Sequence, residues 1–332
     1  MSSIPATTIE IDSVSKRYGK KLAVDDLSFE VKRGEIFSML GPNGSGKTTT
    51  IRMTLDIIKP DSGTIRVLGA PFTEKTKELI GYLPEERGLY RSVRLIELLT
   101  YLGTLKGMKA RDAAQRAESL LEQVGLGANK KSKVSELSRG MSQKVQFIAT
   151  ILHRPQLIII DEPFSGLDPV NTELIKRMIY ELKAEGATIV MSIHEMYQVE
   201  EMADRLLMIN RGKRVLYGAV DEVRNQFAEN AVIVAGQGEW AALPGVASVH
   251  KVDEAARHFK LNLTPGTTPD QIMQRLAADP AYRITSFALA VPSLNDIFIR
   301  VAGEGDPTVA QTIAQTAILP NTSGKEKNYE PA

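Results

Sequence analysis

Cysteine is absent from the 332-residue chain, which excludes disulfides and thiolate metal sites and fits a reducing compartment. A dominant charge sign is missing as well. Lysine and arginine number 41 against 40 aspartates and glutamates, a net charge of +1, so no global field advertises nucleic acid or anionic lipid as the main partner. Long hydrophobic runs are also lacking. The most apolar stretch, Val145 to Ile160, is broken by His153, Arg154, Pro155 and Gln156 and falls short of the roughly 18 apolar residues a membrane span needs. Residues 1–10 carry no basic stretch followed by an apolar core, so they do not read as a secretory signal. If the protein works at a membrane, another chain holds it there. No internal repeat is found.

What is present suits one large domain and one smaller one. From Ile9 to about Gly218, short β-branched runs alternate with longer amphipathic segments, the mark of an α/β domain on a largely parallel sheet. The clearest strands are 36–40, 157–160 and 188–192, with further strands at 24–31, 205–210 and 214–217. Leu157-Ile158-Ile159-Ile160 has no polar alternation, as expected of a central strand covered on both faces, and its carboxyl end should be a site. Helices are expected over 47–57, 95–106, 111–124, 142–153, 171–185 and 195–202. Residues 231–303 carry three alternating runs, then a helix pattern at 269–278, a strand at 284–289 and a helix at 293–301, together a small α+β domain. Residues 304–332 are polar and small, and a disordered tail is expected there.

Gly41-Pro42-Asn43-Gly44-Ser45-Gly46-Lys47-Thr48, followed by Thr49, joins the strand 36–40 to a helical pattern, the context that G-x-x-x-x-G-K-[ST] requires. Glycines let the loop wrap with its N–H groups turned inward on phosphate oxygens, and the helix opening at Lys47 aims its positive end at them. Lys47 should reach the β- and γ-phosphates, while the Thr48 hydroxyl ligates Mg2+. Asp161-Glu162 closes the apolar strand. There Asp161 would hold Mg2+ and Glu162 would polarise the attacking water. The implied ligand is Mg-ATP, and no Asn-Lys-x-Asp guanine-reading motif occurs.

Leu137-Ser138-Arg139-Gly140-Met141 opens a helix about twenty residues before Asp161. It resembles the Leu-Ser-Gly-Gly-Gln signature of ABC ATPases, with Arg139 and Met141 departing from the pattern. The resemblance implies a P-loop ABC ATPase domain over residues 7–230, with a RecA-like core, an antiparallel β subdomain and a helical subdomain. It assigns Ser138 and Gly140 to phosphate contact from a second copy of the chain or a paralogous ATPase. Ser165-Gly166-Leu167-Asp168 resembles the D-loop, with Asp168 near the nucleotide across the dimer. His194 matches the switch histidine that orients the attacking water, and Tyr18 the aromatic that stacks on adenine. Glu85 stands where the family has its Q-loop glutamine; a carboxylate there can ligate Mg2+ but adds negative charge beside the triphosphate.

These variants are similar to the ATPases of type-2 ABC exporters, sodium-export-like systems among them, that carry an extra C-terminal domain. The segment 292–298 resembles that module's closing helix. Such an ATPase would be cytoplasmic and peripheral on the membrane through a permease. Residues 91–134 lie where the family docks on its permease, and Leu95, Leu98, Leu99, Tyr101 and Leu102 would either supply an apolar contact there or, as in most helices, pack into the core. Two other readings stay open: a soluble ABC ATPase that remodels ribosomes or nucleic acid, and a regulatory ATP switch with the C-terminal domain as sensor.

Overall fold

The computed structural model describes residues 6–85, 88–253 and 258–303; the tail expected beyond 303 lies outside them. The elements in chain order are β1 (Thr7–Tyr18), β2 (Lys21–Lys32), β3 (Ile36–Leu40), α1 (Lys47–Thr54), β4 (Ser62–Val67), α2 (Glu74–Glu78), β5 (Ile80–Leu83), α3 (Leu95–Leu105), α4 (Ala110–Gln123), α5 (Arg139–Ile151), β6 (Leu157–Asp161), α6 (Pro169–Ala184), β7 (Thr188–Ser192), α7 (Met196–Met202), β8 (Arg205–Asn210), β9 (Lys213–Ala219), α8 (Val220–Gln226), β10 (Ala231–Gln237), β11 (Val246–Asp253), β12 (His258–Leu263), α9 (Pro269–Ala278), β13 (Arg283–Leu289) and α10 (Leu294–Gly303). The chain divides into two compact units, one up to Val220 and one from Asp221.

In the first unit the strands β5-β6-β7-β3-β8-β9 form one sheet, parallel except for β9. Strands β3, β6 and β7 are buried at every position, which is why their sequences show no polar alternation. A second, antiparallel sheet, β2-β1-β4, lays its apolar face against the first. Ile9, Ile11, Val24, Leu27 and Val31 meet Phe37, Met39, Ile159, Val190 and Leu207 in one core cluster. Phe29 stacks on Phe37 with ring centroids 5.6 Å apart, and each such fully buried side chain stabilises the join by roughly 1.5–3 kcal/mol. Helices α3, α4 and α5 pack together as the helical subdomain.

That packing decides between the two readings of the α3 stripe. Leu95, Leu98 and Leu99 are fully buried in the core, whereas Tyr101 and Leu105 are exposed. A helical stripe is equally apolar whichever body it faces, and here most of it faces α4 and α5.

The second unit holds the antiparallel sheet β11-β12-β10-β13. Helix α9 covers one face, with Ile272 and Leu276 against Val232, Val234, Leu261 and Leu263. Thr268 caps α9 through a reciprocal bond with Gln271, and Pro269 takes its first turn, a combination that pre-sets the helix start. Trp240 sits between Phe259 and Tyr282 at centroid distances of 6.0 and 5.6 Å. Arg224 Nε donates to the Pro292 carbonyl at 3.1 Å, joining α8 to the segment before α10.

Candidate active site

Strands β6, β7 and β3 lie side by side and parallel, so their carboxyl ends deliver the chemistry to one edge. The end of β3 runs into the glycine loop. Gly46 has φ 117°, and a Cβ there would stand 2.6 Å from the Ala23 carbonyl oxygen, so only glycine fits. The loop is braced from outside: Gly212 N donates to Ser45 O at 2.8 Å, and Asp25 N donates to Gly212 O at 3.0 Å. Helix α1 then starts at Lys47 with no side-chain cap, leaving its first N–H groups free for an anion.

Lys47 is buried and its Nζ donates to the carbonyls of Gly41 at 2.7 Å and Pro42 at 3.3 Å. Burial lowers its ammonium pKa, while Glu162, Asp161 and Glu85 work in the opposite direction. Three carboxylates therefore surround one cation. Thr48 Oγ1 donates to Asp161 Oδ2 at 3.3 Å, and Ser192 at the end of β7 donates its hydroxyl to Asp161 Oδ1. Ser45 Oγ is buried and finds no hydrogen-bond partner among the described residues, an exception to the usual pairing of buried polar atoms.

Glu162 follows β6 with φ 56°, a left-handed backbone that costs a non-glycine residue energy and clusters at functional sites. Its N–H donates to Ser192 O at 3.2 Å. Its carboxylate meets His194 Nδ1 at 2.6 Å. Burial raises the Glu162 pKa, and the His194 charge and hydrogen bond lower it in part.

Tyr18, Asn43, Gly44, Gly46, Lys47, Thr48, Thr49, Glu85, Asp161 and Glu162 line one cleft of roughly 340 Å3. Gly41, Pro42 and Ser45 complete the loop behind it. His194 lines the adjoining cavity with Glu162. Ser138, Gly140 and Asp168 are not brought to this cleft. Ser138 caps α5 by accepting from Met141 N at 3.3 Å, with Gly140 in that helix's first turn. Asp168 caps α6, accepting from Asn171 N at 2.9 Å.

Sequence reasoning passed over Lys21, Ala23 and Ser192. Lys21 and Ala23 line the cleft because β2 crosses behind the loop, and Ser192 reaches Asp161 because β6 and β7 pair. Both the β6 to β7 pairing and the crossing of β2 depend on strand order.

The family model described as ABC transporter matches residues 24–165, and one described as ATP-binding protein DrrA1-3-like, C-terminal domain, matches residues 218–302. The chain is 39% identical over 295 residues to the uncharacterized ABC transporter ATP-binding protein YhaQ of Bacillus subtilis, covering 89% of this chain and 98% of that one. It is 34% identical over 310 residues to Nod factor export ATP-binding protein I of Mesorhizobium japonicum, covering 91% and 90%. A solved structure of the ATP-binding subunit of an ABC transporter superposes with a TM-score of 0.63 at 32% identity, over 67% of this chain and 93% of that one.

Proposed function

The chain belongs to the ABC transporter family of ATP-binding proteins, which hydrolyse ATP, and on that premise we propose that it powers an exporter as one of a pair of ATPase subunits beneath an integral-membrane permease. The observation that carries this reading is the single cleft that gathers Lys47, Asp161 and Glu162, with His194 bonded to Glu162. The export direction is supported by the likeness to a relative whose name describes Nod factor export. Among the described residues no helix is long and apolar enough to cross a membrane; in this reading the permease holds the chain at the cytoplasmic membrane face.

In this reading the loop from Gly41 to Thr49 wraps the phosphates, Lys47 supplies the cation at the β- and γ-phosphates, and Tyr18 gives adenine a stacking face. Mg2+ suits the donors present, because Thr48 and Asp161 offer hard oxygens within hydrogen-bond reach of each other and Glu85 offers a third on the same cleft. Bound there, Mg2+ would neutralise phosphate charge. Glu162 accepts the proton of the attacking water, its raised pKa making it a better base than an ordinary glutamate. His194 holds that carboxylate in place and reaches toward the γ-phosphate. Ser138, Gly140 and Asp168 stand at helix tips away from the chain's own cleft, which supports their service to the nucleotide of a second copy or a paralogous ATPase. No nucleic acid partner is expected of a chain with net charge +1.

The test is purification of the tagged chain from membranes. A polytopic subunit should co-purify and raise ATP turnover several-fold, and Lys47→Ala should abolish both turnover and nucleotide binding. Turnover that no membrane subunit alters would overturn the exporter reading in favour of a soluble switch.

A further inference from the structure

Beside the nucleotide cleft lies a second, polar cavity of roughly 480 Å3 whose walls include Glu85, Arg91, Arg139, Gln143, Gln146 and Ser165. Glu85 faces both spaces. It is therefore the partition between the triphosphate site and the tip of α5. The two positions at which this sequence departs most in charge from the pattern it resembles, Glu85 for glutamine and Arg139 for glycine, thus open onto one cavity. Among the described residues Glu85 and Arg139 form no ion pair. Gln143 Oε1 and Gln146 Oε1 are buried acceptors with no partner there, although both side chains are more than nine-tenths buried. A buried acceptor without a donor is costly, and a guanidinium carries five N–H donors in a planar fork.

The Arg139 guanidinium also lies close to the loop after Glu162. A Cβ on Gly166 would stand 3.0 Å from Arg139 Nε and 3.0 Å from Gln143 Nε2, and Gln143 Nε2 donates to the Ser165 carbonyl. The first turn of α5 is thus seated on the segment 165–166, and any movement of α5 toward the nucleotide carries the guanidinium with it.

We propose that Arg139 is a positioning residue: as the cavity narrows it pairs with Glu85 and donates to Gln143, offsetting the carboxylate charge beside the triphosphate and linking the nucleotide site to the tip of α5. The inference rests on the nucleotide reading of the cleft. It explains how an acidic residue is tolerated next to bound phosphate, since the second charge departure supplies the counter-charge.

A double-mutant cycle tests it. Turnover and KM for Mg-ATP are measured on the full chain, with its permease where turnover requires one, for Glu85→Gln, Arg139→Gly and the double variant. Arg139→Gly should lower kcat about tenfold with KM changed less than about twofold, Arg139→Lys should recover most of the loss, and the double variant should be no slower than the slower single one. Losses that multiply in the double variant, or an unchanged kcat in Arg139→Gly, would overturn the pairing while leaving the ATPase reading intact. Failure of the parent chain to bind a fluorescent ATP analogue would instead overturn the reading beneath it. If Arg139→Gly melts early, the cycle is run with Arg139→Gln, judged by the same two outcomes.

Discussion

His194 Nδ1 lies 2.6 Å from Glu162 Oε2, so two neighbouring strands end in one hydrogen-bonded acid-base pair. Glu162 is held from both sides, by this bond and by its own N–H on Ser192 O, and its left-handed φ of 56° persists because those contacts over-determine it. Such restraint suits a base that must meet a water at a fixed point.

On the proposed role of Glu162 as base, its replacement removes proton transfer and leaves the phosphate loop untouched. Glu162→Gln should keep ATP binding while turnover falls by about 10²-fold or more. Single-turnover hydrolysis alongside a nucleotide titration checks both halves. Near-normal hydrolysis would remove Glu162 from the role.

The pH profile follows from the raised Glu162 pKa. A general base works when deprotonated, so activity should fail on the acid side at a pH above that of an ordinary glutamate. Burial raises the pKa and His194 opposes it, so His194→Ala removes the opposing contribution. The acid limb of kcat should then move to still higher pH in that variant. An acid limb that stays in place would show that Glu162 does not set it.

His153 supplies a stability prediction. Burial and the neighbouring Lys106 charge depress its pKa to about 4, and its Nε2 sits 3.1 Å from the Ile80 carbonyl. The folded state holds this imidazole neutral while the unfolded chain takes up a proton near pH 6.5. Stability is therefore present above the unfolded value and is lost as pH falls through the window from 6.5 toward 4. With a discount for partial exposure the loss is about 1–2 kcal/mol. Denaturant titrations at pH 7.5 and 5 should show a smaller decline in His153→Gln than in the parent chain. Equal declines would contradict the assignment.

Much of this site could be read along the chain because its parts are local. The loop from Gly41 to Thr48 carries its own spacing, and β3, β6 and β7 run as 36–40, 157–161 and 188–192, close to the apolar runs that suggest them. Helix α5 begins at Arg139, three residues before the periodic stretch at 142–153, because Ser138 caps it and a cap precedes the periodicity it starts. Strands β1, β4 and β5 are not marked out by the sequence: β1 mixes serine, lysine and aspartate, and its sheet packs only one face against the core. Contacts such as Ser192 with Asp161 need strand order, which one sequence does not state. Leu95, Leu98 and Leu99 admit two readings in the sequence, docking stripe or core, since periodicity locates an apolar face but not the body it meets.

The separation of the loop from Ser138 and Gly140 leads to the last expectation. Within one chain the α5 tip does not line the cleft around Lys47, yet it ends in a serine cap and a glycine, a surface that offers N–H donors to an anion. A second copy placed head to tail would supply it. Bound Mg-ATP should then act as the adhesive, and a chain unable to hydrolyse it should stay paired. Sedimentation of Glu162→Gln should show a dimer with Mg-ATP and a monomer with Mg-ADP, because binding to one association state stabilises that state by mass action. Ser138→Arg in the same background should abolish the dimer while leaving nucleotide affinity of the single chain within about threefold, since the arginine would face the partner's phosphate loop and not its own. If both variants sediment as monomers under every nucleotide, with the permease supplied, hydrolysis in this protein does not proceed between two copies.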